Sequence, residues 1–132
     1  MTKKNIIIDC DPGHDDVMAI LLALANQDKF NILGVTTVAG NQTLERVTLN
    51  LRKLYTYLGI STPAASGAAK PIIRELTTGK EVHGETGLDG WDFPKPTFQL
   101  DSTNAMTFMY EKIMNLEDKV ILVPTGPLTN IG

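Results

Sequence analysis

Four aspartates, Asp9, Asp11, Asp15 and Asp16, follow the apolar run Ile6-Ile7-Ile8 within a single short stretch. No Lys or Arg lies between Lys4 and Lys29 to neutralise them. Carboxylates crowded in this way raise one another's cost of ionising, so something positive must offset it. With no His or Cys at metal-site spacing, the donor set suits a hard, oxygen-seeking divalent cation such as Ca²⁺ or Mg²⁺. The cluster marks the chain as a candidate enzyme.

Such side chains need a scaffold, and the flanking pattern supplies one. Residues 5–9 are a β-branched run ending at Pro12-Gly13, which predicts a buried central strand. Residues 15–26 predict a helix with acids in its first turn, where the macrodipole favours them. Its body is apolar nearly all round, so burial on every side is expected. Residues 32–39 predict a second strand, closed by Gly40-Asn41. Thr43 is placed to cap a helix to Leu58, in which Leu44, Val47, Leu51, Leu54 and Leu58 recur at three-four spacing before Gly59.

Residues 63–69 hold a candidate short third strand. Residues 70–100 are rich in Gly and Pro and lack periodicity, as a functional loop or lid would. Ser102 is the expected cap of a helix to about Asn115, with Ala105, Met106, Met109 and Ile113 on one face. Residues 120–123 predict another apolar strand, running into Pro124-Thr125-Gly126. Strand and helix alternate throughout, which predicts an α/β fold: an open, mainly parallel, Rossmann-like sheet with helices on both faces. Ligands in such folds bind beyond the carboxyl ends of the strands. Asp9-Asp11, Gly40-Asn41 and Thr125-Gly126 all fall there. If the first strand continues through residue 11, Asp9 and Asp11 face one side and Cys10 the other. The turn at Pro12-Gly13 then brings in Asp15 and Asp16, so all four carboxylates are expected to meet around one point.

The bulk numbers fit one domain. The chain has 132 residues, 42% hydrophobic and 20% charged, which describes a globular protein rather than a disordered one. A net charge of −3 gives no footprint for nucleic acid or an anionic membrane. The longest strongly apolar run, residues 17–25, is too short to span a bilayer. Cys10 is the one cysteine. It has no intrachain disulfide partner and no signal peptide is evident, so a cytoplasmic setting is expected. The sequence stops just after a strand, a few residues into a new helix. It therefore reads as the front portion of a longer α/β chain, incomplete at the C-terminus.

The motif Asp-x-Asp-Pro-Gly-x-Asp-Asp resembles the signature of the nucleoside hydrolases of the inosine-uridine preferring type. Val38-Ala39-Gly40-Asn41, His83-Gly84-Glu85-Thr86-Gly87-Leu88 and Pro124-Thr125-Gly126-Pro127-Leu128-Thr129-Asn130 stand in that family's order. The resemblance covers the whole chain and implies that residues 1–132 are the N-terminal part of one nucleoside hydrolase domain. It implies hydrolysis of the N-glycosidic bond of ribonucleosides, with a Ca²⁺ ion held by Asp11, Asp16 and the backbone carbonyl of Thr125. The nucleophile would be a water on that ion, activated by Asp11 as general base. Asp15 matches the carboxylate that grips a ribose hydroxyl, and Asn41 a neighbour that orients water or sugar. Asp9 matches a supporting acid, and His83 a residue of a mobile loop over the pocket. His14 reads as a solvated turn residue. The family's chains are more than twice this length, and their last metal ligand and leaving-group acid lie in the part missing here. The chain alone is thus expected to be weakly active or inactive; the full-length protein would form homodimers or homotetramers.

Two other readings compete. A haloacid-dehalogenase-like phosphotransferase would use Asp9 as nucleophile with Mg²⁺, although Pro12, the extra Asp15-Asp16 pair and the lack of a clear lysine partner argue against it. A non-catalytic metal- or ribose-binding module would keep the cluster without the chemistry.

Overall fold

The computed structural model describes residues 2–132. Four parallel strands form one sheet in the order β3-β2-β1-β4: β1 Lys4–Cys10, β2 Phe30–Thr37, β3 Ala64–Ser66 and β4 Val120–Pro124. Parallel neighbours need crossovers, and helices provide them. They are α1 His14–Ala25, α2 Leu44–Leu58, the short α3 Lys80–His83, and α4 Ala105–Met114. A 3-10 turn, Leu128–Asn130, follows β4.

Side-chain alternation along β1 divides the core. Ile6, Ile8 and Cys10 pack with Ile20 and Ala23 of α1 and with Leu51, Leu54 and Tyr55 of α2. Ile7 packs on the other face with Ala105, Phe108 and Met109 of α4. A central strand buried on both faces must be apolar at every position, which is why β1 reads as a continuous run. Helices therefore cover both faces, as expected.

Several local expectations need correction. Met18 and Leu22 of α1 are about two-thirds exposed (65% and 67%), because the helix meets the sheet along one stripe only. Leu58 is exposed also, and Tyr55 takes its place in the core. Asn104, not Ser102, caps α4: its side chain accepts from Thr107 N at 3.1 Å. Ser102 instead bridges to β3, its carbonyl accepting from Ser66 N at 3.1 Å. On α4, Phe108 is buried with Ala105 and Met109, and Met106 is exposed. Thr43 does cap α2, accepting from Arg46 N, and Gly59 ends it in the left-handed region at φ 64°. That conformation favours glycine.

Candidate active site

The carboxyl ends of β1, β2 and β4 come together through hydrogen bonds among Asp11, Asn41, Asp16 and Thr125. Asp11 follows β1 and is 5% exposed. Its Oδ2 accepts from the backbone N of Asn41 at 2.7 Å, while the Asn41 side-chain amide donates to Asp11 O at 2.9 Å. The β1 and β2 ends are thereby clasped together. No other residue among those described donates to Asp11 Oδ1, which faces Gly126; a Cβ there would come within 2.7 Å of it. A Cβ on Gly40 would collide with Oδ2. The two glycines let backbone approach the carboxylate closely from the ends of two strands.

Asp16 is 1% exposed in the first turn of α1. Its Oδ1 accepts from Thr125 Oγ1 at 2.5 Å and its Oδ2 from Gly13 N at 3.1 Å. Asn41 Nδ2 approaches Asp16 Oδ2 at 3.4 Å. Thr125 is itself fixed by its N–H, which donates to Asp9 O at 2.8 Å. Hydrogen bonds thus link Asn41 to Asp11 and Asp16, and Thr125 to Asp16 through its hydroxyl.

Asp9 and Asp15 depart from the expected single meeting point. Asp9 is fully buried, and its Oδ1 accepts from Thr36 Oγ1 at 2.5 Å and Asn130 Nδ2 at 2.9 Å. Its Oδ2 is buried without a partner. A carboxylate enclosed in this way is not open to attack a substrate, which removes the basis of the phosphotransferase reading. Asp15 turns outward, its side chain 71% exposed, with Oδ1 3.9 Å from His83 Nε2. The separation follows from geometry: β1 ends at Cys10, so Asp9 stays within the strand, bonded to Thr36 and Asn130, while Asp11 lies beyond its end, and α1 carries Asp15 and Asp16 in different directions. Among the described residues, no three His, Cys, Asp or Glu side chains group closely enough to enclose a metal ion. An ion here would rely on two carboxylates and backbone oxygen.

Burial sets the electrostatics. It raises Asp11 to about 6; the Asn41 N–H pulls it back down, and the Asp16 charge adds to the rise. Burial likewise raises Asp16 against the Thr125 and Gly13 hydrogen bonds, and Asp9 against those from Thr36 and Asn130. Among the described residues no Lys or Arg pairs with any of the three. The donor set fits a hard divalent cation: buried carboxylates held at a cost, with a glycine cradle around Asp11.

Sequence reasoning missed several supports. Asn130 joins three strand ends, donating to Asp9 and to Thr37 O (3.0 Å) and accepting from Ala68 N (2.8 Å). Gln42 and Asn50 are buried, and both bind the loop carrying His83. Buried Asn and Gln beside glycine-rich segments were the available signal, but their partners lie 36 to 121 residues away in sequence. His14 is exposed as expected, yet it donates to Asp89 O at 2.9 Å and stacks on His83 at 5.8 Å.

Buried acids at the carboxyl edge of a parallel sheet define the class as α/β proteins with a strand-end ligand crevice. The family described as inosine-uridine preferring nucleoside hydrolase matches residues 6–132, and the chain belongs to that family. It is 54% identical over 131 residues to the pyrimidine-specific ribonucleoside hydrolase RihA of a Shewanella species, covering 98% of this chain and 41% of that protein. Identity to the pyrimidine-specific ribonucleoside hydrolase RihB of Escherichia coli is 44% over 132 residues, covering 100% and 42%. An inosine-guanosine nucleoside hydrolase superposes with a TM-score of 0.88 at 28% identity, covering 97% of this chain and 41% of that one. The plant nucleoside hydrolase PpNRh1 gives 0.87 at 31% identity, covering 98% and 42%. The chain spans about two fifths of the length of these relatives.

Proposed function

We propose that this chain carries the cation- and ribose-binding part of a ribonucleoside hydrolase site, with pyrimidine ribonucleosides as the first substrates to try. The observation that carries the reading is the Asp11 carboxylate, recessed between Gly40 and Gly126, with no donor from another described residue on Oδ1 and Asp16 acting on it through its charge. The pyrimidine preference is drawn from the names of the relatives at 54% and 44% identity.

Asp11, Asp16 and the backbone carbonyl of Thr125 would hold the cation, taken as Ca²⁺. When bound, it supplies positive charge that offsets the buried carboxylates, makes water easier to deprotonate and draws sugar hydroxyls. Asp11 accepts the proton of the attacking water through Oδ1. Asp15, open to solvent at the crevice mouth, accepts from a ribose hydroxyl, and Asn41 orients the sugar or the water. Glycosidic cleavage proceeds through an oxocarbenium-like sugar, so carboxylates near the ring stabilise the charge that develops. Asp9 acts from behind, as a supporting acid that holds the β1 end.

We assign the 132 residues to the N-terminal part of a single domain, and the protein to nucleoside salvage as a homodimer or homotetramer. A cytoplasmic location agrees with the lone, buried Cys10. No helix among the described residues is long and apolar enough to cross a membrane.

The test is calorimetric titration of Ca²⁺ and then uridine, followed by assay of free uracil. The expected result is Ca²⁺ binding that Asp11→Asn weakens at least tenfold, with uridine binding dependent on Ca²⁺. Ca²⁺ binding that survives Asp11→Asn unchanged would sink the reading. Little or no uracil release is expected from this chain alone, whereas Ca²⁺ binding with no Ca²⁺-dependent uridine binding would favour the non-catalytic metal-binding module.

A further inference from the structure

The loop that carries His83 is held by three donors spaced four residues apart. Gln42 lies just ahead of α2, and Arg46 and Asn50 continue along the same side of the helix. They reach three successive carbonyls: Gln42 Nε2 donates to Gly84 O at 3.1 Å, Arg46 Nη1 to Glu85 O, and Asn50 Nδ2 to Thr86 O at 2.8 Å. Asn50 also donates to Pro12 O at 3.2 Å, tying the loop to the turn between Asp11 and Asp16. Asp89 secures the other edge, accepting from Glu85 N and Thr86 N at 3.1 Å each and from Thr86 Oγ1 at 2.5 Å.

Gln42 is 0% exposed and Asn50 3%. Amides that deep are costly unless hydrogen-bonded, so their presence is best explained by the carbonyls they hold. The residue directly before this docked segment is His83. Its Nδ1 is buried and unpartnered, and a Cβ on Gly13 would lie 2.8 Å from it. Its Nε2 stands 3.9 Å from Asp15 Oδ1, with the side chain 15% exposed.

We propose that Gln42, Arg46 and Asn50 are positioning residues: a latch that locks residues 84–86 and so fixes the His83 imidazole between Gly13 and Asp15 at the crevice mouth. The consequence for substrate rests on the nucleoside hydrolase reading. A fixed imidazole beside the ribose-binding carboxylate pre-organises the sugar pocket, whereas the latch does not touch Asp11 or Asp16 side chains. Breaking it should therefore weaken nucleoside binding and spare cation binding.

The experiment uses the whole chain with Arg46→Met, at a half-exposed side chain outside the core, and Asn50→Asp, which keeps the shape but donates nothing. Amide exchange of residues 79–90 and carbethoxylation of His83 are followed by mass spectrometry, well below each variant's melting temperature. Both rates are expected to rise at least fivefold in each variant, with Ca²⁺ affinity within twofold of wild type for Arg46→Met and uridine binding weakened at least fivefold. Wild-type exchange and His83 reactivity in Arg46→Met overturn the latch. So does a loosened loop with unchanged His83 reactivity, which would make the contacts merely structural. Absence of uridine binding in the wild-type chain counts against the nucleoside reading alone, because the exchange and modification rates still decide the latch.

Discussion

Replacing Asp11 by Asn preserves the shape of the crevice and removes the charge that burial disfavours. The substitution should therefore act in opposite directions on function and stability. Nucleoside cleavage supported by the protein should fall by roughly 10²–10⁴-fold, the usual contribution of a general base. The metal-free melting temperature at pH 7 should rise. Calorimetry and a base-release assay on the same preparation check both; a fall in both quantities would mean that Asp11 is chiefly a structural hydrogen-bond acceptor.

The pH dependence of the metal-free protein follows from the same residue. Asp11 has its ordinary value of 3.8 when unfolded and about 6 when folded, raised chiefly by burial. The fold therefore favours the protonated form. This contribution is fully present below about pH 3.8 and is lost as pH rises through about 6. Asp9 and Asp16 shift in the same direction. In the presence of a chelator, melting should occur at a lower temperature at pH 7 than at pH 5, and added Ca²⁺ should recover more stability at pH 7. Melts that are flat across this window, with and without Ca²⁺, would contradict the placement of the carboxylates.

At the scale of elements, α2 has two duties that a single pattern obscures. One stripe, with Val47, Leu51 and Leu54, packs on the sheet; the polar stripe of Arg46 and Asn50 docks the loop. Gly59 ends the helix so that the chain can turn back toward β3. At φ 64° with open space around it, Gly59→Ala adds left-handed strain and no clash. The expected cost is about 1–2 kcal/mol, measured by urea unfolding. A stability unchanged within error would show that the cap relaxes. The hydrophobic period of α2 was readable because burial there is one-sided. The face read for α4 and the all-round burial read for α1 both misled, since apolar residues exceed what one sheet face can cover, and composition does not say which remain outside.

Across the whole molecule the two sheet edges differ. Residues 101–102 cover β3, with Asp101 N donating to Ala64 O at 2.9 Å and Ser66 N to Ser102 O at 3.1 Å. No described residue pairs with the outer side of β4. Its Ile121 is exposed, as are Met18 and Leu22 on α1 and Tyr110 and Met114 on α4. An open apolar edge is a template for association. The chain should self-associate with rising concentration in analytical ultracentrifugation, and Ile121→Lys should reduce this. A strictly monomeric wild type at high concentration would show that the flanking helices shield the edge.

Local chemistry settled a good deal before any folding was considered. The apolar runs specified parallel strands, Thr43 and Gly59 bounded α2, and the aspartate motif located the crevice at the end of β1, because propensity, capping and charge repulsion act between near neighbours. Tertiary structure alone decided which carboxylates belong together. It took Asp9 into a buried knot with Thr36 and Asn130, turned Asp15 to solvent, and left Asp11 with Asp16, Asn41 and Thr125. Those outcomes depend on partners brought from distant strands, and the spacing of residues along a chain does not encode which buried oxygen will meet which donor.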